Sequence, residues 1–254
     1  MAVNCIPFVF PGIIGVRCAF QIRTDPDPFA DTISLTGAPD RRRAAANRDE
    51  LARLCGLEDL AELRQVHGVT TIFNPAPVAS GSEPVQEGDG LATDRADVGL
   101  LIKTADCQPI LLAHKSGRHI AALHAGWRGN RQDYPRLAVL EICDRYRLEP
   151  GDFHAVRGPS LGPSAAEFTG FASEWGDDYS PWFDADSRSM DLWRLTRDQL
   201  IRAGLAPDHI YGLDLCTWSL ENAFFSYRRN RLCGRQGSVI WLTGECAEPS
   251  GRYK

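Results

Sequence analysis

The sequence predicts a mixed α/β fold, either α/β or α+β, in which helices and strands are interleaved along 254 residues. Two observations carry this prediction. Three segments have the apolar spacing of amphipathic helices, and short runs typical of strands lie around and between them. A third observation concerns domain number: no change in composition marks a boundary, and the length suits one large α/β domain. We therefore expect residues 1–254 to form a single domain.

The three predicted helices have both apolar periodicity and recognisable ends. The first covers Asp40–Leu54; it begins at its own N-cap residue and stops just before Gly56. The second covers Asp133–Tyr146, and the third covers Asp191–Ala203, which ends before Gly204. Each of these segments begins with an aspartate, and a glycine follows two of them, which supports the predicted boundaries.

Strands are predicted between these helices. Residues 1–16 are expected to form an opening strand and turn, and alternation predicts a strand over Arg64–Phe73. Residues 74–90 carry Pro, Gly and Ser without periodicity and predict a long loop, which in a compact domain is often functional. Further strands are predicted at Gly99–Ile102, Pro109–Ala113, residues 118–126, Phe153–Val156, Ile210–Leu215 and Ser238–Leu242.

The clearest hairpin joins the apolar runs on either side of residues 115–117. If Ser116 and Gly117 form a two-residue turn, Pro109 opposes His124 and Cys107 points to the same face. Cys107 and His124 are then diagonal neighbours on adjacent strands, with their backbones roughly 7–8 Å apart, and can share a ligand. A three-residue loop would place them on opposite faces.

Charge and hydropathy exclude two classes of partner. Twenty-eight Lys and Arg against 33 Asp and Glu give a net charge of −5, which argues against sequence-independent nucleic-acid binding. A small nucleotide or nucleoside needs only a local pair of basic groups and stays possible. The apolar N-terminal stretch lacks a basic leading segment and is too short to span a bilayer. We expect a cytoplasmic protein that does not enter the membrane.

The cysteines are numerous but scattered, and none forms a CxxC pair, which excludes zinc-ribbon and thioredoxin-like motifs. Without an export signal, reduced thiols are expected rather than a disulfide framework. Most of these thiols are interpreted as small core residues. They are Cys5, Cys18, Cys55, Cys107, Cys143, Cys216, Cys233 and Cys246.

Three residues that could carry chemistry lie at the ends of predicted elements, namely His67, Cys107 and His124. One thiolate with two imidazoles suits a catalytic zinc site with an open position. The same trio suits blue copper. It could also form a nucleophilic cysteine with a histidine base and no metal, or simply a buried thiol near two strand-capping histidines. The residues alone leave these alternatives open.

Two basic motifs could bind an anion. Arg128 lies between two glycines and follows Trp127, which could stack on a base, whereas the arginine could bind phosphate or carboxylate. Arg228 and Arg229 close an aromatic run and could do the same. Their alternative interpretation is a core strand with basic residues extending to solvent.

The order of five motifs resembles one known family. The motifs are QVHG (65–68), GDGLATDRADVGLLIKTADCQPILL (88–112), HAGWRGN (124–130), GPSLGP (158–163) and the segment from CTWSLENAFFSYRR to GRQGSVIWL (216–242). Over about residues 40–245 the chain resembles the laccase-domain family, also called the multi-copper polyphenol oxidoreductase or YfiH-like family. The resemblance implies a mixed-sheet α/β/β/α sandwich and a metal bound by His67, Cys107 and His124.

The chain departs from the family pattern in two places. The family usually carries a Thr-Arg-x-Gly-Gly-x-Ser stretch near the N-terminus, where this chain reads IRTDPDPFADTIS (22–34) without a glycine pair. After GPSLGP the family often has a cysteine and a tyrosine, where this chain has Ser164, Ala165 and Ala166 before Glu167. The first departure is expected to alter a loop that shapes the pocket, and the second leaves the trio intact.

The resemblance implies several activities. Family members are described as copper-dependent polyphenol oxidases, as zinc enzymes that phosphorolyse purine nucleosides and deaminate adenosine, or as enzymes of peptidoglycan precursor editing. Six histidines are too few for a trinuclear copper cluster plus a blue-copper site, so one zinc is favoured over copper. We expect a zinc-dependent purine nucleoside enzyme, a transferase or hydrolase acting on small molecules. A non-catalytic module with a structural metal is the non-enzyme alternative.

Roles for neighbouring residues follow from this hypothesis. Cys107 and His124 are placed in the catalytic centre, where the metal would leave one position for water or phosphate. Arg128 and one of Arg228 or Arg229 would offset the phosphate charge. Asp106, next to the cysteine, is a candidate for proton transfer or for orienting a histidine. The sequence does not predict an oligomeric state.

Overall fold

The computed structural model describes residues 3–96 and 98–244. Its strands are β1 (Asn4–Phe8), β2 (Val16–Ile22), β3 (Leu60–Ala61), β4 (Thr71–Phe73), β5 (Gly90–Thr93), β6 (Gly99–Thr104), β7 (Gln108–His114), β8 (Ile120–Ala125), β9 (Phe153–Arg157), β10 (Phe183–Asp184), β11 (Ser189–Met190), β12 (Ile210–Gly212) and β13 (Gln236–Leu242). Its helices are α1 (Arg41–Leu54), α2 (Trp127–Arg131), α3 (Tyr134–Tyr146), α4 (Phe171–Glu174) and α5 (Leu192–Ala203). Within these residues, no helix has the length and apolar character needed to cross a membrane.

The strands form two large mixed sheets. One has five strands in the order β1-β2-β13-β6-β3, and the other has six in the order β12-β9-β7-β8-β5-β4. Each sheet contains antiparallel pairs together with at least one parallel pair, such as β3 with β6 and β4 with β5. Strands β10 and β11 pair separately. The predicted mixed-sheet class is confirmed.

Three hydrophobic cores separate four layers. Phe20, Leu100 and Leu111 belong to the core between the two sheets. A second core packs the six-stranded sheet against α3 and α5, and a third packs the five-stranded sheet against α1. Neighbouring residues such as Ile110 and Leu111 face different cores, which explains why β7 reads as a continuous apolar run. The layers therefore follow the expected α/β/β/α order.

The hairpin of β7 and β8 has the predicted register, because Pro109 pairs with His124. Its turn is wider than predicted. The backbone N–H of His114 donates to the carbonyl of His119 at 3.0 Å, so residues 115–118 form a four-residue loop. Widening a loop by one residue at each end leaves the pairing and the facing of side chains unchanged.

The helices begin and end as predicted. The Asp40 side chain accepts the backbone N–H of Arg43 at 3.0 Å and caps α1, and Gly56 beyond its end has φ +68°. At the end of α5, Gly204 has φ +109°, a left-handed conformation that glycine adopts with little strain. Two strand predictions are wrong in extent. Only Thr71–Phe73 of the segment 64–73 is a strand, and β12 ends at Gly212.

The described cysteines are all free, which agrees with the expectation of reduced thiols. They are Cys5, Cys18, Cys55, Cys107, Cys143, Cys216 and Cys233. Cys246 lies outside the described residues. Cys18, Cys55 and Cys143 are buried, as expected for small core residues.

Candidate functional site

Three side chains from distant parts of the chain converge at one point. His67 lies in the loop before β4, Cys107 lies between β6 and β7, and His124 lies in β8. One ring nitrogen of each histidine and the Cys107 sulfur all lie within 4.8 Å of one another. The Cys107 Sγ is 3.7 Å from Nε2 of His67. His67 is exposed, Cys107 is half-buried and His124 is buried, so the cluster is open on one side.

The hairpin explains how two of the three residues meet. Alternation along β8 places Ala122 in the core between the sheets and Leu123 in the core beneath α3. His124 therefore points into the gap between the sheets, and its partner Pro109 does the same. Cys107 lies two residues before that proline, at the open end of the gap. The cluster closes this end of the inter-sheet core.

A buried carboxylate, Asp89, fixes the other part of the cluster. It accepts the backbone N–H groups of His67 at 2.9 Å and Gly68 at 2.6 Å, and also that of Val66 at 3.3 Å. These bonds hold His67 at φ +61°, a left-handed conformation. A strand over residues 64–70 would point alternate N–H groups away from one acceptor. This is the physical reason why the strand predicted there does not form.

Asp89 also orients His124, because its Oδ1 accepts a hydrogen bond from Nδ1 of that ring at 2.8 Å. The contact leaves Nε2 of His124 for the cluster. The orienting role expected for Asp106 therefore belongs to Asp89, which sequence reasoning missed. The sequence contains an indication of this role, because Asp89 lies between two glycines at the end of the long loop, directly before an apolar strand.

Neighbouring groups shift the pKa values of Cys107, His124 and Asp89. Burial alone would raise the pKa of Cys107, but the charge and hydrogen bonds of His124 and His67 lower that pKa to about 6. Burial would lower the pKa of His124, but the Cys107 thiolate and Asp89 raise it to about 9. Although burial opposes it, the bond and charge of His124 keep the pKa of Asp89 below its ordinary value. The cluster therefore favours a thiolate beside an imidazolium at neutral pH.

Gly126 provides the space that the cluster needs. A Cβ at this position would lie 2.8 Å from Cδ2 of His67 and 3.0 Å from the Cys107 sulfur. Both distances are shorter than van der Waals contact. Any larger residue would push one of these two side chains out of the cluster.

We expect Gly126→Ala to lower the free energy of unfolding by about 1–3 kcal/mol, because the added methyl group overpacks a rigid region. Chemical denaturation followed by circular dichroism measures this change. Gly129→Ala is the matched control, since its Cβ would find its nearest neighbours at 3.8 Å. Equal losses of stability in the two variants would contradict the proposed crowding.

Asp106 has a different task from the one expected. Its Oδ1 accepts the Thr217 hydroxyl at 2.7 Å, and its Oδ2 accepts the backbone N–H of Arg228 at 2.7 Å. Its own backbone has φ +90°. The carboxylate thus ties the loop of residues 216–229 to the turn that carries Cys107.

The three arginines named from the sequence separate into two groups. Arg128 is exposed, lies 4.3 Å over the Trp127 ring and lines the cavity beside the cluster. Arg228 is exposed and lines the same cavity. Arg229 does not line the cavity, and both terminal nitrogens of its guanidinium donate to backbone carbonyls. These are the carbonyl groups of Thr217, Trp218 and Phe224.

The cluster opens into a cavity of about 1030 Å³ that extends across one end of both sheets. Its walls combine apolar and aromatic side chains with an excess of positive charge, although the chain as a whole is acidic. The cationic lining residues are Arg64, Lys103, Arg128, Arg228, Arg231 and Arg235. The carboxylates are Glu83 and Asp106, and the apolar lining includes Leu63, Trp127, Leu161, Phe168, Leu192 and Tyr227. Such a cavity suits an anionic ligand that carries an aromatic ring.

The fold and the site together define a class of protein. It is a sandwich of two sheets with a candidate metal centre, formed by one cysteine and two histidines at the end of the gap between the sheets. The chain belongs to the multi-copper polyphenol oxidoreductase laccase family, whose family model matches residues 31–243. This confirms the resemblance drawn from the five motifs.

Relatives and solved structures agree with this membership. The purine nucleoside phosphorylase of Xylella fastidiosa is 36% identical over 213 residues, covering 77% of each chain. Purine nucleoside phosphorylase YfiH of Escherichia coli is 32% identical over 187 residues, covering 71% of this chain and 72% of the relative. The crystal structure of YlmD from Geobacillus stearothermophilus superposes with a TM-score of 0.79 at 27% identity, covering 91% of this chain and 93% of that one.

Proposed function

We propose that this protein is a zinc-dependent purine nucleoside phosphorylase that cleaves adenosine, inosine and related nucleosides. The observation that carries the proposal is the convergence of one thiolate and two imidazoles at the wall of a large basic cavity. Aromatic surface for a purine and arginines for phosphate lie in the same cavity. The purine nucleoside phosphorylases among its relatives support this substrate class.

The donor set fits zinc. Cysteine sulfur and histidine nitrogen are its usual ligands, and catalytic zinc sites take three protein donors and keep a fourth position open. His67, Cys107 and His124 would hold the ion, and the exposed side of the cluster leaves access for a small molecule. Asp89 bonded to His124 matches the carboxylate that commonly supports a zinc-binding histidine.

The arrangement favours one zinc over several coppers. A multicopper oxidase needs a trinuclear cluster and a separate blue-copper site, both rich in imidazole. Across residues 3–96 and 98–244, no second group of three His, Cys, Asp or Glu side chains converges in this way. The remaining histidines pack in pairs: the rings of His154 and His209 stack at 3.8 Å, and those of His114 and His119 lie 5.9 Å apart.

The chain's own residues would bind and orient the two substrates. A bound zinc ion would supply a Lewis acid at the cavity wall. Arg128 and Arg228 would hold the phosphate dianion, while Trp127 and Phe168 would offer aromatic surface to the purine. In phosphorolysis a phosphate oxygen forms a bond to C1′ of the ribose as the C1′–N9 bond breaks. The electron pair leaves with the base, which takes a proton from cavity water.

Phosphorolysis fits the cavity better than deamination of adenosine, which we propose only as a secondary activity. Zinc deaminases use a carboxylic acid beside the metal as general acid and base. Of the two carboxylates at the cavity wall, Asp106 lies beside Cys107, but both of its oxygens accept hydrogen bonds from the loop of residues 216–229. A carboxylate held in this way is poorly placed to shuttle protons.

Metal analysis combined with turnover tests the proposal. Protein produced in ordinary medium should contain about one zinc per chain and little copper. It should convert adenosine and phosphate into adenine and ribose 1-phosphate, which chromatography separates from inosine, the deamination product. Several tightly bound copper ions with a blue absorption band would contradict the proposal and support a polyphenol oxidase. Loss of phosphate dependence with inosine as the sole product would contradict phosphorolysis.

A further inference from the structure

The end of the cavity away from the metal cluster has a charge that the proposed reaction does not use. Lys103 on β6 and Arg235, just before β13, line this end, and Gly237 of β13 pairs with Lys103 across the sheet. Alternation along β6 directs Lys103 to the α1 side, because its neighbour Leu101 packs in the core beneath α1. The cavity thus reaches from the inter-sheet gap around the end of the five-stranded sheet.

Lys103 belongs to a buried group with unbalanced charge. Its ammonium pairs with Glu62, and the same carboxylate pairs with Arg48. The Glu62 side chain is 0% exposed, that of Arg48 is 2% exposed and that of Lys103 is 14% exposed. Two cations on one carboxylate leave a net charge of one positive unit in a region that water hardly reaches.

An uncompensated buried charge is costly unless an opposite charge approaches it. Arg48 is turned away from the cavity, since its guanidinium donates to the carbonyls of Ser80 and Ser82. Burial, and then the charge of Arg48, lower the pKa of Lys103 to about 8, and the charge of Glu83 opposes this shift only in part. The opposing carboxylate at this end of the cavity, Glu83, is partly exposed and pairs with Arg41. The lysine at the wall therefore favours an anion in the cavity.

We propose that Lys103, together with Arg235 and Arg231 of the same cavity wall, forms a second anion subsite that receives a phosphate group carried by the nucleoside itself. The substrate class would then be a purine nucleoside 5′-monophosphate, an inference that rests on the proposed phosphorolysis. Arg128 and Arg228 remain for the attacking phosphate at the metal end of the cavity.

The dimensions allow one ligand to reach both ends. Lys103 and Cys107 are four residues apart, so their Cα atoms lie at most about 14 Å from each other. An extended nucleotide can bridge such a span. The cavity volume of about 1030 Å³ lies at the upper limit for small-molecule sites.

The reaction with this substrate keeps the same bond changes. The C1′–N9 bond breaks, an oxygen of inorganic phosphate bonds to C1′, and the base leaves with the electron pair and takes a proton. The products are the free purine and ribose 1-phosphate that retains its 5′-phosphate. No oxidant or further reactant is needed.

The test compares adenosine 5′-monophosphate (AMP) with adenosine on the zinc-loaded full chain. We expect AMP to be cleaved, and Lys103→Met to lower the ratio of kcat/KM for AMP to that for adenosine roughly 10- to 100-fold, as for a lost bond to a charged group. Lys115→Met is the matched control, because this exposed lysine lies in the loop between β7 and β8, pairs with Asp152 and does not line the cavity. Its ratio should equal that of the unmodified protein.

Other outcomes would overturn the subsite. One is failure of AMP to bind or react while adenosine is cleaved. Another is a Lys103→Met variant with an unchanged ratio and a raised KM for inorganic phosphate, which would assign the lysine to the attacking phosphate. Arg231→Ala, at an exposed position, should lower the same ratio and provides a second variant if Lys103→Met does not fold.

Calorimetric binding of AMP and adenosine separates this inference from the proposed function. Binding of AMP that is tighter than that of adenosine and is weakened by Lys103→Met supports the subsite even if neither compound is cleaved, an outcome that would contradict only the phosphorylase. Equal affinity for both compounds contradicts the subsite.

Discussion

Cys107→Ala is expected to remove both the bound zinc and phosphate-dependent cleavage of adenosine, because only two imidazoles would remain on the ion. Metal content measured by mass spectrometry should fall from about one zinc per chain to near zero. Cys107→Asp, which offers an oxygen ligand, should retain part of the metal and a trace of activity. These variants separate coordination from nucleophilic catalysis by the thiol.

Cys5→Ala is the matched control, because Cys5 lies on the outer strand β1 of the five-stranded sheet. It should keep its zinc and its turnover. A nucleophilic role for Cys107 makes a different prediction: a covalent adduct with substrate could be trapped, and chelators would leave the rate unchanged. Full nucleoside cleavage by metal-free Cys107→Ala would refute the proposed mechanism.

Asp89→Asn should be the most destabilising polar substitution at the site. The buried carboxylate accepts three backbone N–H groups and holds Nδ1 of His124. An amide there presents its NH2 group to some of these donors and carries no charge for the imidazolium. We expect a loss of about 3–5 kcal/mol in the free energy of unfolding, as when one partner of a buried ion pair is removed.

Zinc affinity provides a second readout for Asp89, because a purely structural role would not change it selectively. Competition with a chelator should show zinc binding weakened roughly 10- to 100-fold, as for other carboxylates that support a metal-binding histidine. Asp94→Asn is the control, since Asp94 is exposed just beyond β5. Wild-type stability and zinc affinity in Asp89→Asn would show that the His67 loop and His124 hold their positions without the carboxylate.

Much of the frame that carries the site could be predicted from local sequence signals. Asp40 and Gly56 mark the ends of α1 because capping depends on residues within one turn. The hairpin register places Pro109 opposite His124 because short turns fix which residues pair. The long loop before β5 and the free thiols also follow from composition. The family motifs supplied the α/β/β/α order of the layers.

The site itself depended on contacts that periodicity does not encode. The segment 64–70 alternates like a strand, yet Asp89, some 22 residues away, collects its N–H groups and turns His67 into a left-handed conformation. The same contact, rather than Asp106, orients His124. A buried carboxylate can override local preference because several hydrogen bonds to one desolvated charge outweigh the small free-energy differences of strand propensity.

The amino-acid sequence by itself determined which residue types could form the cluster and predicted the pairing of Pro109 with His124, because hairpin register and two-residue alternation are local properties. Only the tertiary structure brought His67 to Cys107 across 40 residues and selected Arg228 over Arg229 for the cavity. It also placed Lys103 and Arg48 on one buried carboxylate. These outcomes depend on how two sheets and α1 pack together, because burial and the closure of long loops decide which charges meet.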